Sequence, residues 1–189
     1  MDVQPLEIAG PLLVRPRRNA DHRGWLCESY SRAALAEAGI VADFIQDNLS
    51  WSAQAGTVRG LHLQAAPHQQ AKLVQVMGGR ISAAVVDVRP GSPSVGHHVR
   101  LELDATEGWQ LFIPRDFLLG FITLEPDTRV LYKVDGPWCG AAERSVRWDD
   151  PDLDIDWGWT GPIITSPKDR DGLSMADYLR LHIDGRPIG

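Results

Sequence analysis

The sequence predicts an all-β chain, a jelly-roll barrel or sandwich with a few short helices, on three observations. Short strand-like runs recur along most of its length, separated by Asp, Gly and Pro turns. Helical signals are confined to a stretch after Ser31 and one near the C-terminus. The run Ala83-Ala84-Val85-Val86 is wholly apolar, the pattern of a strand buried on both faces.

In chain order, residues 5–30 alternate short apolar groups (Leu6, Ile8, Leu12, Leu13, Val14) with turn signals such as Ala9-Gly10-Pro11. Asp21-His22-Arg23-Gly24 then turns into an aromatic strand through Trp25. Ser31 precedes the alanine-rich RAALAEAG, which Gly39 ends, so a short capped helix is expected. Residues 40–48 read as a strand, as do 57–64 and 71–77. Gly78-Gly79 reads as a two-residue hairpin turn into a strand over 81–89. Pro90-Gly91-Ser92-Pro93 breaks that strand. Further strands are expected at 97–103, 109–114, 120–125, 128–134 and 144–148. The polar tail holds a helix over 174–181, with Ser174 and Asp177 as a capping-box variant. With no repeat or linker, residues 1–189 are read as one domain.

The formal charge of −6 argues against nucleic acid as a partner, because phosphate-backbone binding relies on a basic footprint. It leaves room for a small anionic ligand, which feels local charge. No apolar run approaches membrane-spanning length and the N-terminus lacks a basic-then-apolar pattern, so no membrane partner is expected and the expected compartment is the cytoplasm. Cys27 and Cys139 lie far apart and in no CxxC pair, which gives no sign of a disulfide framework or zinc site.

The chemistry concentrates in 56–77, GTVRGLHLQAAPHQQAKLVQVM. Arg59, His62 and Lys72 sit there among apolar strand residues, where a charge withdrawn from water costs several kcal/mol unless it is paired or used. One reading makes His62 a base, Lys72 a charge stabiliser and Arg59 an anion clamp. The other makes them a hydrogen-bonded core histidine beside two surface cations. A cupin-like barrel raises the question of a metal, but the place for His-x-His reads His62-Leu63-Gln64. His97-His98 are adjacent and point to opposite faces. No metal is expected, and without a phosphate loop or dinucleotide fingerprint no cofactor is either. Alternation over 128–134 puts Tyr132 on the face of Val130 and Val134, where its hydroxyl needs a partner. His62, Tyr132, Lys72 and Asp169 together suit proton abstraction beside a carbonyl.

Short motifs run in order from about Ile8 to Asp169. They begin Asp21-x-Arg23-Gly24 with Glu28-Ser29, Gln46-Asp47-Asn48, Arg59-Gly60-Leu61-His62-x-Gln64 and Lys72-Leu73-Val74. They continue Ser92-Pro93-x-x-Gly96, Gln110-Leu111-x-Ile113-Pro114, Gly120-Phe121, Leu131-Tyr132-Lys133, Glu143-Arg144, Asp149-Asp150-Pro151 and Ser166-x-Lys168-Asp169. In this order they resemble the dTDP-4-dehydrorhamnose 3,5-epimerase family of deoxysugar biosynthesis.

The resemblance implies a homodimer with exchanged N-terminal strands, acting on a nucleotide-diphosphate sugar. It implies His62 as proton acceptor, Asp169 orienting it, Tyr132 as proton donor and Lys72 near the sugar keto oxygen. Arg23, Glu28, Gln46, Asn48, Arg59, Glu143 and Lys168 are implied as substrate contacts, with Arg23, Trp25 and Glu28 placed to serve the neighbouring site. Trp138 falls where an aromatic residue lies against the nucleobase; on local grounds it caps the barrel equally well. Two positions depart from the family pattern: a ligand-contacting histidine is Leu119 and an aspartate is Ala83. Both make the expected pocket more apolar and bear on whether C3, C5 or both are epimerised. The alternatives are a single-centre epimerase of a specialised deoxysugar and a non-catalytic nucleotide-sugar-binding homologue.

Overall fold

Side chains alternate between the two faces of each strand, and that sorting builds two facing layers and a cover. The computed structural model describes residues 1–182. One antiparallel sheet has six strands in the order β1 (Asp2–Pro5), β2 (Leu12–Arg15), β10 (Gln110–Ile113), β7 (Lys72–Gly78), β12 (Thr128–Val134) and β5 (Gln46–Ser52). The second has five, in the order β13 (Glu143–Ser145), β6 (Val58–Gln64), β11 (Phe117–Thr123), β8 (Arg80–Asp87) and β9 (His98–Asp104). A separate hairpin pairs β3 (Arg18–Asp21) with β4 (Gly24–Cys27). The mostly-β, jelly-roll class read from the sequence is the class observed.

Between the sheets, Val74, Val76 and Val130 from the first meet Ile81, Ala83, Val85 and Phe121 from the second. The opposite parity of the second sheet, Ala84, Val86, Leu118 and Ile122, is covered by Trp157, Met175 and Tyr178 of the C-terminal segment. This explains the unbroken apolar run of β8, which has a core on each side. On the far side of the first sheet, α1 (Arg32–Glu37) lays Leu35 over Leu73 and Phe112. Its start is set by Ser31, whose hydroxyl accepts the Ala34 N–H at 3.3 Å. The C-terminal helix α3 (Met175–His182) starts on Ser174, whose hydroxyl accepts the Asp177 N–H at 3.0 Å and donates to its carboxylate at 2.8 Å. No helix among the described residues is long and apolar enough to cross a membrane.

Several boundaries differ from the sequence expectation. The strand expected over 40–48 is instead Gln46–Ser52, because its partner β12 ends at Val134, opposite Gln46. Upstream residues have run past the end of β12, so Ile40 plugs the α1 layer and Phe44 packs edge-on against Tyr30. Gly78-Gly79 does not close a hairpin. β7 lies between β10 and β12, β8 lies in the other sheet, and the glycines carry the chain across the layers, with Gly79 at φ +77°. The strand expected at 120–125 begins at Phe117, and that at 144–148 shrinks to Glu143–Ser145.

Candidate active site

β6 reaches the space between the sheets by a break in its own alternation. In a regular strand Arg59 and His62, three apart, point to opposite faces. Here Arg59 pairs with Phe121 and His62 with Leu119, so three steps on β6 match two on β11. The extra residue is a β-bulge, and it turns both side chains into one cavity. Gly60 occupies it at φ +114°, where a Cβ would stand 2.5 Å from the Leu119 carbonyl oxygen and 2.6 Å from Gly120 Cα.

The facing wall comes from the first sheet. Tyr132 on β12 lies in register with Asn48 on β5 and Val74 on β7, and Val134 with Gln46 and Lys72. One inner row therefore carries Gln46, Asn48 and Ser50 beside Tyr132, Val74 and Lys72. The cavity between these walls is about 700 Å³, the size of a small-molecule site.

Asp169 enters from the C-terminal segment. Ile164 forms a parallel bridge to Thr57, and Val58 N–H donates to the Ile164 carbonyl at 2.8 Å, which brings the chain to the start of β6. Ser166 then caps the one-turn helix α2 (Pro167–Arg170), its hydroxyl accepting the Asp169 N–H at 3.1 Å. His62 Nε2 and Asp169 Oδ1 stand 2.5 Å apart. Burial pushes the Asp169 carboxyl up, but the hydrogen bonds from His62, Gly60 and Ser166 outweigh it and hold it below the usual range. A carboxylate only accepts, so the tautomer of the neutral imidazole that fits this contact has its proton on Nε2 and its lone pair on Nδ1.

Lys72 is buried, and its Nζ has no hydrogen bond or ion pair among the described residues. Burial draws it down to about 8, with Asp135 and then Glu143 opposing the fall. Burial also raises the Tyr132 phenol, which keeps it a protonated donor at neutral pH. Among the described residues Arg59 donates only to neutral acceptors, Ser52 Oγ at 3.3 Å and the Trp51 carbonyl at 3.1 Å, with no hydrogen-bonded carboxylate to compensate its charge. Lys168 Nζ is 2.6 Å from Glu143 Oε1, and Gln46 Nε2 donates to Asn48 Oδ1 at 2.9 Å.

His62, Tyr132, Lys72, Asp169, Gln46, Asn48, Arg59, Leu119, Trp138, Glu143 and Lys168, all singled out from sequence, line this one cavity. Arg23 and Glu28 do not. Arg23 stands at the tip of the β3–β4 hairpin, its side chain 78% exposed and paired with Asp21, and Glu28 is exposed just after β4. The expectation that Ala83 alters the pocket wall is corrected. Ala83 lies opposite Phe121 on the neighbouring strand, fully buried in the inter-sheet core, and only Leu119 of the two meets the cavity.

Sequence reading missed Ser50, Gln64 and Phe121 as lining residues. Each follows a predicted one by two positions, so alternation would have found them. Gln64 also accepts the Cys139 N–H at 2.8 Å, which fixes the segment bearing Trp138.

Comparison with known proteins places this geometry. Residues 5–177 match the family described as dTDP-4-dehydrorhamnose 3,5-epimerase. The chain is 41% identical to the dTDP-4-dehydrorhamnose 3,5-epimerase of Sinorhizobium fredii, over 94% of this chain and 91% of that protein. It is 35% identical to the dTDP-4-dehydrorhamnose 3-epimerase of Streptomyces niveus, over 94% of this chain and 85% of that one. Among solved structures, the Bacillus anthracis 3,5-epimerase with TDP and PPi bound superposes with a TM-score of 0.88 at 41% identity, covering 92% of this chain and 98% of that one. The Legionella pneumophila enzyme in complex with dTDP-4-keto-L-rhamnose gives 0.91 at 32%, covering 100% and 99%. The chain belongs to the dTDP-4-dehydrorhamnose 3,5-epimerase family.

Proposed function

We propose that this protein is a cofactor-independent epimerase of a nucleotide-linked 4-keto-6-deoxyhexose, converting a dTDP-4-dehydro-6-deoxyglucose-type substrate to the dTDP-4-dehydrorhamnose type. The observation that carries the reading is the His62–Asp169 pair, 2.5 Å apart, on one side of a cavity whose other side holds Tyr132 and Lys72. The 4-keto group acidifies the hydrogens on C3 and C5. His62 Nδ1 takes one of them, the C–H electrons move onto the keto oxygen, and the Lys72 ammonium stabilises the enolate. Tyr132 comes from the opposing sheet and returns a proton to the other face of that carbon. Asp169 keeps the imidazole in the tautomer that leaves Nδ1 free and stabilises the imidazolium that forms. Arg59 supports binding of the diphosphate as a charge-assisted donor.

A second reading is a single-centre epimerase, at C3 or C5 only. Leu119 favours it, because it lies directly across from His62 and gives the base an apolar neighbour. The named 3-epimerase relative shows that the family reaches that chemistry. Solvent deuterium incorporation into a dTDP-4-keto-6-deoxy sugar decides: two exchanged positions for the first reading, one for the second. Absence of exchange in the wild type would leave only a nucleotide-sugar-binding role.

The resting assembly in this proposal is a homodimer with exchanged N-terminal strands. Among the described residues the β3–β4 hairpin pairs with no third strand, and two strands alone are marginal in water. It exposes Trp25 and Leu26, while β5 at the edge of the first sheet exposes Leu49 and Trp51. An unpaired apolar edge of that kind is suited to accept strands from a second copy.

A further inference from the structure

Two buried side-chain amides grip the chain on either side of Trp138. Gln64, the last residue of β6, and Gln70, just before β7, are 4% and 8% exposed, and both line the cavity. Gln70 Nε2 donates to the Gly136 carbonyl at 2.6 Å, and Gln64 Oε1 accepts the Cys139 N–H at 2.8 Å. Neither amide can be turned over without losing its bond, since a carbonyl oxygen only accepts and a backbone N–H only donates. Burying an amide also carries a cost that an apolar side chain of similar length avoids. What the two bonds hold is a stretch between β12 and the 3-10 turn Gly140–Ala142 that belongs to no strand. Trp138 stands within it, 64% exposed, and its indole lines the cavity. The six-membered ring lies over Gly140, where a Cβ would stand 2.9 Å from Cη2 and 3.2 Å from Cζ2. An aromatic plane open to a cavity and fixed at its base is a platform for a second flat ring.

We propose that Gln64 and Gln70 are positioning residues that hold Trp138 as a ready-made wall for the base of a nucleoside-diphosphate ligand. Their action runs through the backbone that carries the indole, and neither has to touch the base. The inference rests on the nucleotide-linked substrate proposed above. A ring ordered only on binding would lose its conformational freedom at that step, and the two amides remove that loss in advance. Among the described residues neither glutamine hydrogen-bonds to His62, Tyr132, Lys72 or Asp169, so the effect belongs to binding and not to the chemical step.

The test compares dTDP with inorganic pyrophosphate, which lacks a base, by calorimetry on the full-length protein. Steady-state kcat and KM on dTDP-4-keto-6-deoxyglucose are measured alongside. Gln64→Met and Gln70→Met keep the length of the side chain and remove the amide. Each is expected to weaken dTDP binding and raise KM by about five- to tenfold, with pyrophosphate affinity and kcat within about twofold of wild type. Gly140→Ala leaves both amides in place but displaces the ring, and the same pattern is expected from it. In a Trp138→Ala background, Gln64→Met should cost little more, because the group it positions is gone. A full further loss in that background would mean that the amide contacts the ligand itself, which overturns the positioning role. Wild-type dTDP affinity in Trp138→Ala, or in both glutamine variants, overturns it too. Glutamine variants that lose pyrophosphate along with dTDP would show that the amides hold the whole site and not this wall, against the proposal. A wild-type protein with no preference for dTDP over pyrophosphate would overturn the nucleotide reading itself, and this inference with it.

Discussion

Tyr132 and Lys72 carry their chemistry at a cost to the fold, and that cost is testable residue by residue. The Tyr132 hydroxyl faces the cavity from the sheet opposite His62, and burial keeps its proton in place. Inversion requires delivery to the face that the base does not serve; a base acting alone returns the proton where it came from. Tyr132→Phe is therefore expected to wash solvent deuterium into the substrate while yielding far less inverted product. Inversion at the normal rate by the Phe variant would make Tyr132 a packing residue and water the donor. Lys72 is lowered from 10.5 to about 8, chiefly by burial, which means that the folded state disfavours the ammonium relative to the unfolded chain. The sign follows: through the window from about 8 to 10.5 the fold sheds a proton that the unfolded chain keeps, and this group's contribution to stability rises with pH. At neutral pH the penalty is on the order of 3 kcal/mol, so Lys72→Met should raise stability in urea by up to about that amount while abolishing turnover. A destabilised Met variant at pH 7 would show that the ammonium is a structural group.

At the scale of elements, the strands are legible where side-chain parity meets a buried face and illegible where pairing decides. β8 and β12 could be read from composition because their neighbours cover them as the apolar pattern requires. The limits of β5 could not, because they depend on where β12 ends, at Val134 opposite Gln46, a fact about a partner far away in the chain. Gly78-Gly79 has hairpin chemistry, and only the interleaving of two sheets turns it into a crossing between layers. The site shows the same division. His62, Lys72, Tyr132 and Asp169 stand out as residue types in an ordered motif series, but that Arg59 and His62 share a face depends on the β6 bulge. Gly60 is the one local sign of it. Gly60→Ala would press a methyl onto backbone atoms of Leu119 and Gly120 at a φ of +114°, and backbone atoms cannot swing away as a flexible side chain would. We expect a loss of ~1–3 kcal/mol in thermal or chemical unfolding, with weaker dTDP binding as Arg59 and His62 lose their common face. An Ala variant with unchanged stability and dTDP affinity would show that the bulge tolerates a side chain and does not set the site.

For the whole molecule, an acidic chain of net charge −6 gathers three cations against two carboxylates around one cavity, a local field that suits a diphosphate. Arg23 and Glu28 lie outside that cavity in their own chain, on and beside a hairpin that has no third strand among the described residues. If two copies exchange their N-terminal strands, the Arg23 of each copy serves the site built on the other copy's His62. Mixing inactive variants tests that arrangement without any structure of the dimer. A His62→Ala subunit lacks the base but still offers Arg23; an Arg23→Ala subunit keeps the base but offers no Arg23. In a mixed dimer the site containing intact His62 receives intact Arg23 from its partner, while the other site lacks both. Statistical re-pairing of equal amounts makes half the dimers mixed, each with one complete site, so about a quarter of wild-type activity is expected. The assay belongs at substrate levels well below saturation, because loss of a charge-assisted contact worth ~1.5–3 kcal/mol weakens binding before it slows turnover. Each variant alone must stay near zero under those conditions, and size-exclusion chromatography with light scattering must show a dimer of unchanged mass. A mixture no more active than the sum of its parts, with dimers present and subunits demonstrably exchanged, would confine Arg23 to its own chain's surface and remove the strand exchange from the proposal.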